Sequence, residues 1–208
     1  MSQDASFIWH KDHSVGDVDV IIIPGGFSYG DALRSGAIAR FSPIMKDVVR
    51  FVEKGGLVLG ICNGFQILCE SGRLPGALMH NASLRFVCKN IHIRIDNANT
   101  AFTNGLQKGD VLRVPIAHGE GNYIADEDVL NRLEDEDRIV FRYSDGAGNV
   151  TSQCNPTGSV RNIAGIVNRE RNVLGMMPHP ERCAEEVLGR PDGVGIFDSL
   201  LASAGIPV

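Results

Sequence analysis

Residues 57–68, LVLGICNGFQIL, set a cysteine between two glycines where a β-rich apolar run gives way to a helical pattern. A strand that turns sharply into a helix can hold one side chain clear of the sheet edge. The residue at the turn is backbone-strained, and the positions two before and two after it crowd each other. Gly60 and Gly64 relieve that crowding, so Gly60-Ile61-Cys62-Asn63-Gly64 reads as the G-x-S-x-G elbow with sulfur in place of oxygen. The helix N-terminus beneath the thiol is expected to favour the thiolate and so to lower its pKa. The plainer alternative is a buried cysteine at a glycine-containing strand end, and only reactive partners elsewhere in the chain can decide between the two.

The elbow belongs to a wider alternation. DVDVIIIPGG (17–26) is a short β-branched run stopped by Pro-Gly-Gly, as expected of a strand buried on both faces, and a glycine-rich loop, GGFSYGDALRSG, follows. SPIMKDVVRFVEKGG (42–56) predicts a helix with Ser42 as N-cap, Pro43 at the first helical position and a Gly-Gly stop. The strand LVLGI and the helix NGFQILCESG come next, so the chain is α/β, with a flavodoxin-like, doubly wound and mostly parallel sheet. RFVCKNIHIRI and DVLRVPIAHG predict added antiparallel or mixed strands, and ADEDVLNRLEDED (125–137) a solvated acidic helix. RIVFRYSD, IAGIVN and NVLGMMPHP are further strands, and GIFDSLLASA a last helix. No linker, repeat or low-complexity segment divides residues 1–208, which are expected to form a single domain.

Charge and cysteine usage exclude several classes. A formal net charge of -5, with no Lys/Arg stripe, argues against phosphate-led nucleic-acid binding. No apolar run approaches the roughly 20 residues of a membrane-spanning helix, and the N-terminus lacks a signal-peptide pattern, so a cytoplasmic protein is expected. Five cysteines without a C-x-x-C pair suggest neither a disulfide framework nor a zinc site. No metal or cofactor is expected in this chain.

A thiolate that attacks an acyl group needs a base and a group to orient that base. MMPHPER supplies both, with His179 and Glu181 two apart around Pro180, whose ring forbids helical bonding and lets both side chains project to one side. His118 in AHGEGNY, with Glu120 two residues on, is the rival pair. It lacks the flanking prolines and is better suited to ordering a loop. The oxyanion needs backbone donors. Gly25 and Gly26 let the chain approach a substrate closely, and the amide of Asn63 offers a second N–H. Neither G-x-G-x-x-G nor G-K-[ST] is present, so the same loop is not a phosphate cradle.

With these segments, and with WHKD, PGGFSYGDALRSGAIARFSPIM, NASLRFVCK and RNIAGIVN, the sequence resembles the class I (triad) glutamine amidotransferases over nearly its whole length. The first long block and AHGEGNY point within them to the glutaminase subunits of bacterial phosphoribosylformylglycinamidine synthases. The resemblance implies Cys62 as nucleophile, His179 as general base and later acid, and Glu181 as the carboxylate that orients it. It implies oxyanion donors at Gly26 and Asn63, and glutamine contacts at Gly25, Gln66, Ser83, Leu84 and Arg85. Ammonia from glutamine would pass to a synthetase subunit, PurL, which uses ATP and Mg2+, in a complex with a small third subunit, PurS. The resemblance also implies a strand, a loop and a helix ahead of WHK. This chain opens MSQDASFIWH, so the first βα unit is expected to be missing, with a penalty in stability.

Two rivals stay open at this point. A PfpI-type cysteine hydrolase would share the elbow without needing the late His-Pro-Glu pair. A catalytically impaired docking subunit would keep the motifs without turning over glutamine.

Overall fold

The computed structural model describes residues 3–188 and 191–207. The chain enters its first strand, β1 (Val20–Ile23), and passes through the glycine-rich loop to helix α1 (Met45–Glu53). It returns as β2 (Leu57–Ile61) and turns at Cys62 into α2 (Asn63–Glu70). A short β3 (Ala77–Met79) is followed by two long strands, β4 (Val87–Ile95) and β5 (Val111–His118). Then come β6 (Asn122–Ile124), α3 (Glu127–Asp135), β7 (Ile139–Ser144), β8 (Ile163–Val167), β9 (Val173–Met176) and a last helix, α4 (Val194–Ser203).

Seven strands form one sheet in the order β1-β2-β9-β8-β7-β4-β5. The pairings β1 with β2 and β2 with β9 are parallel, and the remaining four are antiparallel. The α/β class and the added antiparallel strands are those read from the sequence. The antiparallel share is larger than the alternation near the N-terminus suggests, because β4, β5, β7 and β8 all pair antiparallel with their neighbours, an arrangement that does not require a helical crossover between partners. The pair β3 and β6 forms a separate antiparallel ribbon, and its two three-residue strands are too short to show a period of two in the sequence.

The core follows the pattern of each element. Strands β8 and β9 are buried at every position, as strands covered on both faces must be, and Phe65, Leu68, Phe141, Tyr143 and Ile196 fill the space around them. A smaller cluster of Val15, Ala39, Met45, Val48 and Ile67 seats α1 and the end of the glycine-rich loop against α2. Helix α1 starts two residues later than the Ser42 cap predicts. The Ser42 hydroxyl faces Tyr29 Oη and His10 Nδ1, both at 3.4 Å, and residues 42–44 form a turn. At the sheet edge, β1 has no second strand partner among the described residues, Ile22 is exposed, and SFIWH forms no strand.

Candidate active site

Strand β2 delivers Cys62 at its C-terminal end with φ 51° and ψ -105°, a left-handed backbone that a non-glycine residue holds only under constraint. The constraint is visible on both sides. The Cys62 N–H donates to Met176 O at 2.8 Å, and its carbonyl accepts the N–H of Gln66 at 3.2 Å in the first turn of α2. The crowding read from the sequence is present: a Cβ on Gly60 would lie 2.8 Å from Gly64 C, and one on Gly64 would lie 2.0 Å from Ile23 O. Side chains there would push β1, β2 and α2 apart.

Residues 177–179 leave β9 and bring His179 over the elbow, where its N–H donates to Pro115 O at 2.9 Å. Its Nδ1 lies 2.6 Å from Glu181 Oε1, and its side chain is only 1% exposed. The other ring nitrogen, Nε2, is buried without a partner among the described residues. Gly25 separates the imidazole from the elbow, since a Cβ there would sit 2.7 Å from His179 Cε1 and 3.5 Å from Cys62 Cβ. Sequence reasoning grouped Cys62, His179, Glu181 and Gly25 from three segments, the last more than a hundred residues from the other two, and the fold does bring them together.

The expected lowering of the thiol pKa is not what the structure gives. Burial pushes Cys62 up to about 12, and it outweighs the Asn63 backbone N–H and the Arg182 charge, which pull the other way. Glu181 and Asp31 add to the rise. An apolar surround disfavours the anion more than one helix N-terminus favours it. Cys62 is therefore held as a thiol, and its proton must leave as the sulfur reacts.

Around this centre the loops are cross-braced. Asn63 Oδ1 accepts the Ser28 N–H at 3.2 Å, and its Nδ2 donates to Gln66 Oε1 at 2.8 Å. Gln66, 4% exposed, donates to Glu120 O at 2.6 Å, and the Glu120 carboxylate accepts the Ser35 N–H at 3.0 Å. Glu120 thus ties the glycine-rich loop to α2 and orders the loop, the part its AHGEGNY segment suggested. Asn81 donates to Arg85 O and His118 O, both at 2.9 Å, and accepts the Gly121 N–H at 3.0 Å. Ser83, Leu84 and Arg85 lie on this turn with exposed side chains, and the Phe86 ring stands 6.2 Å from that of Phe27 beside Gly26.

Sequence reasoning passed over Asp31, Ser35, Asn81 and Tyr143. An aspartate in SYGDALRSG looks like any turn residue, and Tyr143 belongs to a strand that reads only as core. The signal that marks them is tertiary. Seven of the nine buried side-chain polar atoms without a partner among the described residues belong to Ser28, Asp31, Ser35, His118, Tyr143 and His179. Each of these six is linked to Cys62, Asn63, Glu120 or His179 by a bond, close approach or electrostatic coupling. Buried polar groups are normally satisfied, so such a concentration marks a place prepared for a ligand. A cleft of about 420 Å³ lies instead at the far end of β4, where Arg94 and Arg142 both pair with Asp96. Among the described residues no three His, Cys, Asp or Glu side chains gather as metal ligands would.

A family profile described as a CobB/CobQ-like glutamine amidotransferase domain matches residues 4–191. The phosphoribosylformylglycinamidine synthase subunit PurQ of Salinibacter ruber is 63% identical over 204 residues, covering 98% of this chain and 87% of that protein. Its counterpart from Moorella thermoacetica is 58% identical, covering 97% and 85%. Among solved structures, a chain of PurLQS from Thermotoga maritima superimposes with a TM-score of 0.81 at 43% identity, covering 92% of this chain and 82% of that one. The glutaminase domain of Trypanosoma brucei CTPS, 14% identical with a TM-score of 0.56, shares the fold. By profile, identity and superposition alike, this chain belongs to the CobB/CobQ-like glutamine amidotransferases, within the family of phosphoribosylformylglycinamidine synthase PurQ subunits.

Proposed function

We propose that the chain is the glutaminase subunit of a phosphoribosylformylglycinamidine synthase in de novo purine synthesis, with Cys62, His179 and Glu181 as its catalytic residues. The observation that carries the reading is the buried, unpartnered Nε2 of His179 beside the Cys62 elbow, with Nδ1 held by Glu181 at 2.6 Å. The carboxylate fixes the tautomer that leaves Nε2 free to accept a proton.

Nε2 takes the thiol proton as Cys62 Sγ attacks the carboxamide carbon of glutamine. The oxyanion is received by the backbone N–H groups of Gly26 and Asn63. The proton then passes from His179 to the departing nitrogen, the C–N bond breaks, and ammonia leaves a glutamyl thioester on Cys62. Water, deprotonated by the same imidazole, attacks the thioester, releasing glutamate and restoring the thiol. A thiol held near pKa 12 by burial suits this concerted order, because nucleophile and base need exchange a proton only when substrate is present.

Gln66, Gly25 and the 83–85 turn hold the glutamine. Ammonia passes to the synthetase subunit PurL, which spends ATP with Mg2+ to convert formylglycinamide ribonucleotide (FGAR) to its amidine (FGAM), with PurS as the small subunit. The likeness to PurLQS supports these partners. The setting is cytoplasmic, consistent with the finding that no helix among the described residues is long and apolar enough to cross a membrane.

The test is the Cys62→Ala chain in a complex reconstituted with PurL and PurS. Glutamine-driven FGAM formation should fall by at least roughly a thousandfold while ammonium-driven formation persists. Retained glutamine-driven turnover would sink the assignment.

A further inference from the structure

We propose that the Asp31 carboxylate, with the Ser35 hydroxyl beside it, receives the α-ammonium group of the amino-acid substrate and so makes the site selective for a free amino acid. The proposal rests on the glutaminase reading and deepens it. That reading places the carboxamide at Cys62, its oxygen at two backbone donors and the amino-acid end near the 83–85 turn. It names no negatively charged partner for the substrate's one cation.

Asp31 supplies the missing charge. Its Oδ1 is buried and unpartnered, and among the described residues no Lys, Arg or His nitrogen lies within 4.0 Å of it. Its electrostatic neighbours are of the wrong sign to satisfy it: Glu120 and the Cys62 sulfur both feel its charge. Burial, the largest influence, raises the carboxyl's pKa, the Ser35 hydroxyl opposes that rise, and Glu120 adds to it. Ser35 is 2% exposed, and among the described residues its Oγ meets no partner other than the Asp31 carboxyl. An ammonium group brings three N–H donors and a positive charge, which is what an unpaired carboxylate oxygen and the hydroxyl oxygen beside it can accept.

The loop is built to hold this group still. The Ser28 N–H is bonded to Asn63 on one side of Asp31 and the Ser35 N–H to Glu120 on the other. Between these anchors Tyr29, Gly30 and Asp31 all have left-handed φ values of 55°, 63° and 55°. The two non-glycine members of such a run, Tyr29 and Asp31, are costly, and packing must hold them in place. A cation docked on Asp31 also cancels a charge that otherwise opposes ionisation of Cys62, so the substrate's own ammonium favours attack on its far end.

The test compares glutamine with glutaramate, the same molecule without the α-amino group, in the complex with PurL and PurS. Asparagine tolerates a left-handed backbone better than most residues, so Asp31→Asn removes the charge with little disturbance of the loop. The variant should raise the KM for glutamine on the order of tenfold or more with kcat changed far less, and leave the inhibition constant for glutaramate nearly unmoved. Equal weakening of both ligands would mean that Asp31 only shapes the loop, and an unchanged KM would mean that it takes no part; either overturns the proposal. If the unsubstituted complex makes product from ammonium but not from glutamine, the glutaminase reading falls and this one with it. If it turns over glutamine and the two ligands are not told apart through Asp31, only this proposal falls.

Discussion

His118 shows how a single side chain can be placed for chemistry and burden the fold at the same time. It is 2% exposed, neither ring nitrogen has a partner among the described residues, and burial together with the nearby His179 lowers its pKa from 6.5 to about 4. Because the folded pKa lies below the unfolded one, the unfolded chain binds the extra proton first as pH falls. Stability is therefore full above about pH 6.5 and is lost between there and about pH 4, by roughly 3 kcal/mol for a fully coupled group. Urea unfolding at pH 7 and pH 5 should show this loss, and His118→Gln should flatten the difference. An equally steep pH dependence in the variant would assign the acid sensitivity to other groups. The sequence made His118 visible as a rival base, but its neutrality and lack of partners arise from strands that only the fold sets around it.

Among the elements, the β2-α2 junction is where sequence and structure agree most closely, since the elbow's demands are local. Gly60 is set by contacts within a few residues, and the long-range contacts, Gly64 against Ile23 O and the Cys62 N–H to Met176 O, come from the neighbouring parallel strands β1 and β9. Backbone cannot yield as a side chain can. Gly64→Ala should thus destabilise the protein by about 1–3 kcal/mol, with a fall in Tm on the order of 5 °C and loss of glutamine-driven activity. A thermal melt superimposable on the parent's would show that β1 can move aside at little cost. The element least legible in advance was the start of α1. Ser42 had the residue type and position of an N-cap, but its hydroxyl was drawn to Tyr29 and His10, which the sequence gave no reason to place there.

For the whole molecule, the open edge of β1 is the feature with the widest reach. Its N–H and C=O groups have no strand partner on one side among the described residues, and Ile22 is 45% exposed. Phe7 and Trp9 add exposed apolar surface. Unpaired edges with apolar side chains invite edge-to-edge association, and lysine on such an edge opposes it. The isolated chain should therefore self-associate as its concentration rises, and Ile22→Lys should shift size-exclusion profiles toward monomer without lowering Tm by more than a few degrees. Concentration-independent monomer in the parent would show the edge to be inert.

The sequence by itself determined the α/β class, the positions of the long strands and helices, and the candidates Cys62, His179 and Glu181, because each rests on short-range requirements: periodicity, glycine relief of a strained turn, and a proline that sets two side chains on one side. Only the tertiary structure decided the state of that site. The thiol pKa near 12 depends on burial by distant segments. The bracing through Glu120 and Asn81 depends on which turns meet. The uncompensated charge of Asp31 depends on how the loops pack, which leaves no cationic nitrogen within 4.0 Å of it among the described residues, and neither desolvation nor a missing partner leaves a mark in the order of residues along a chain.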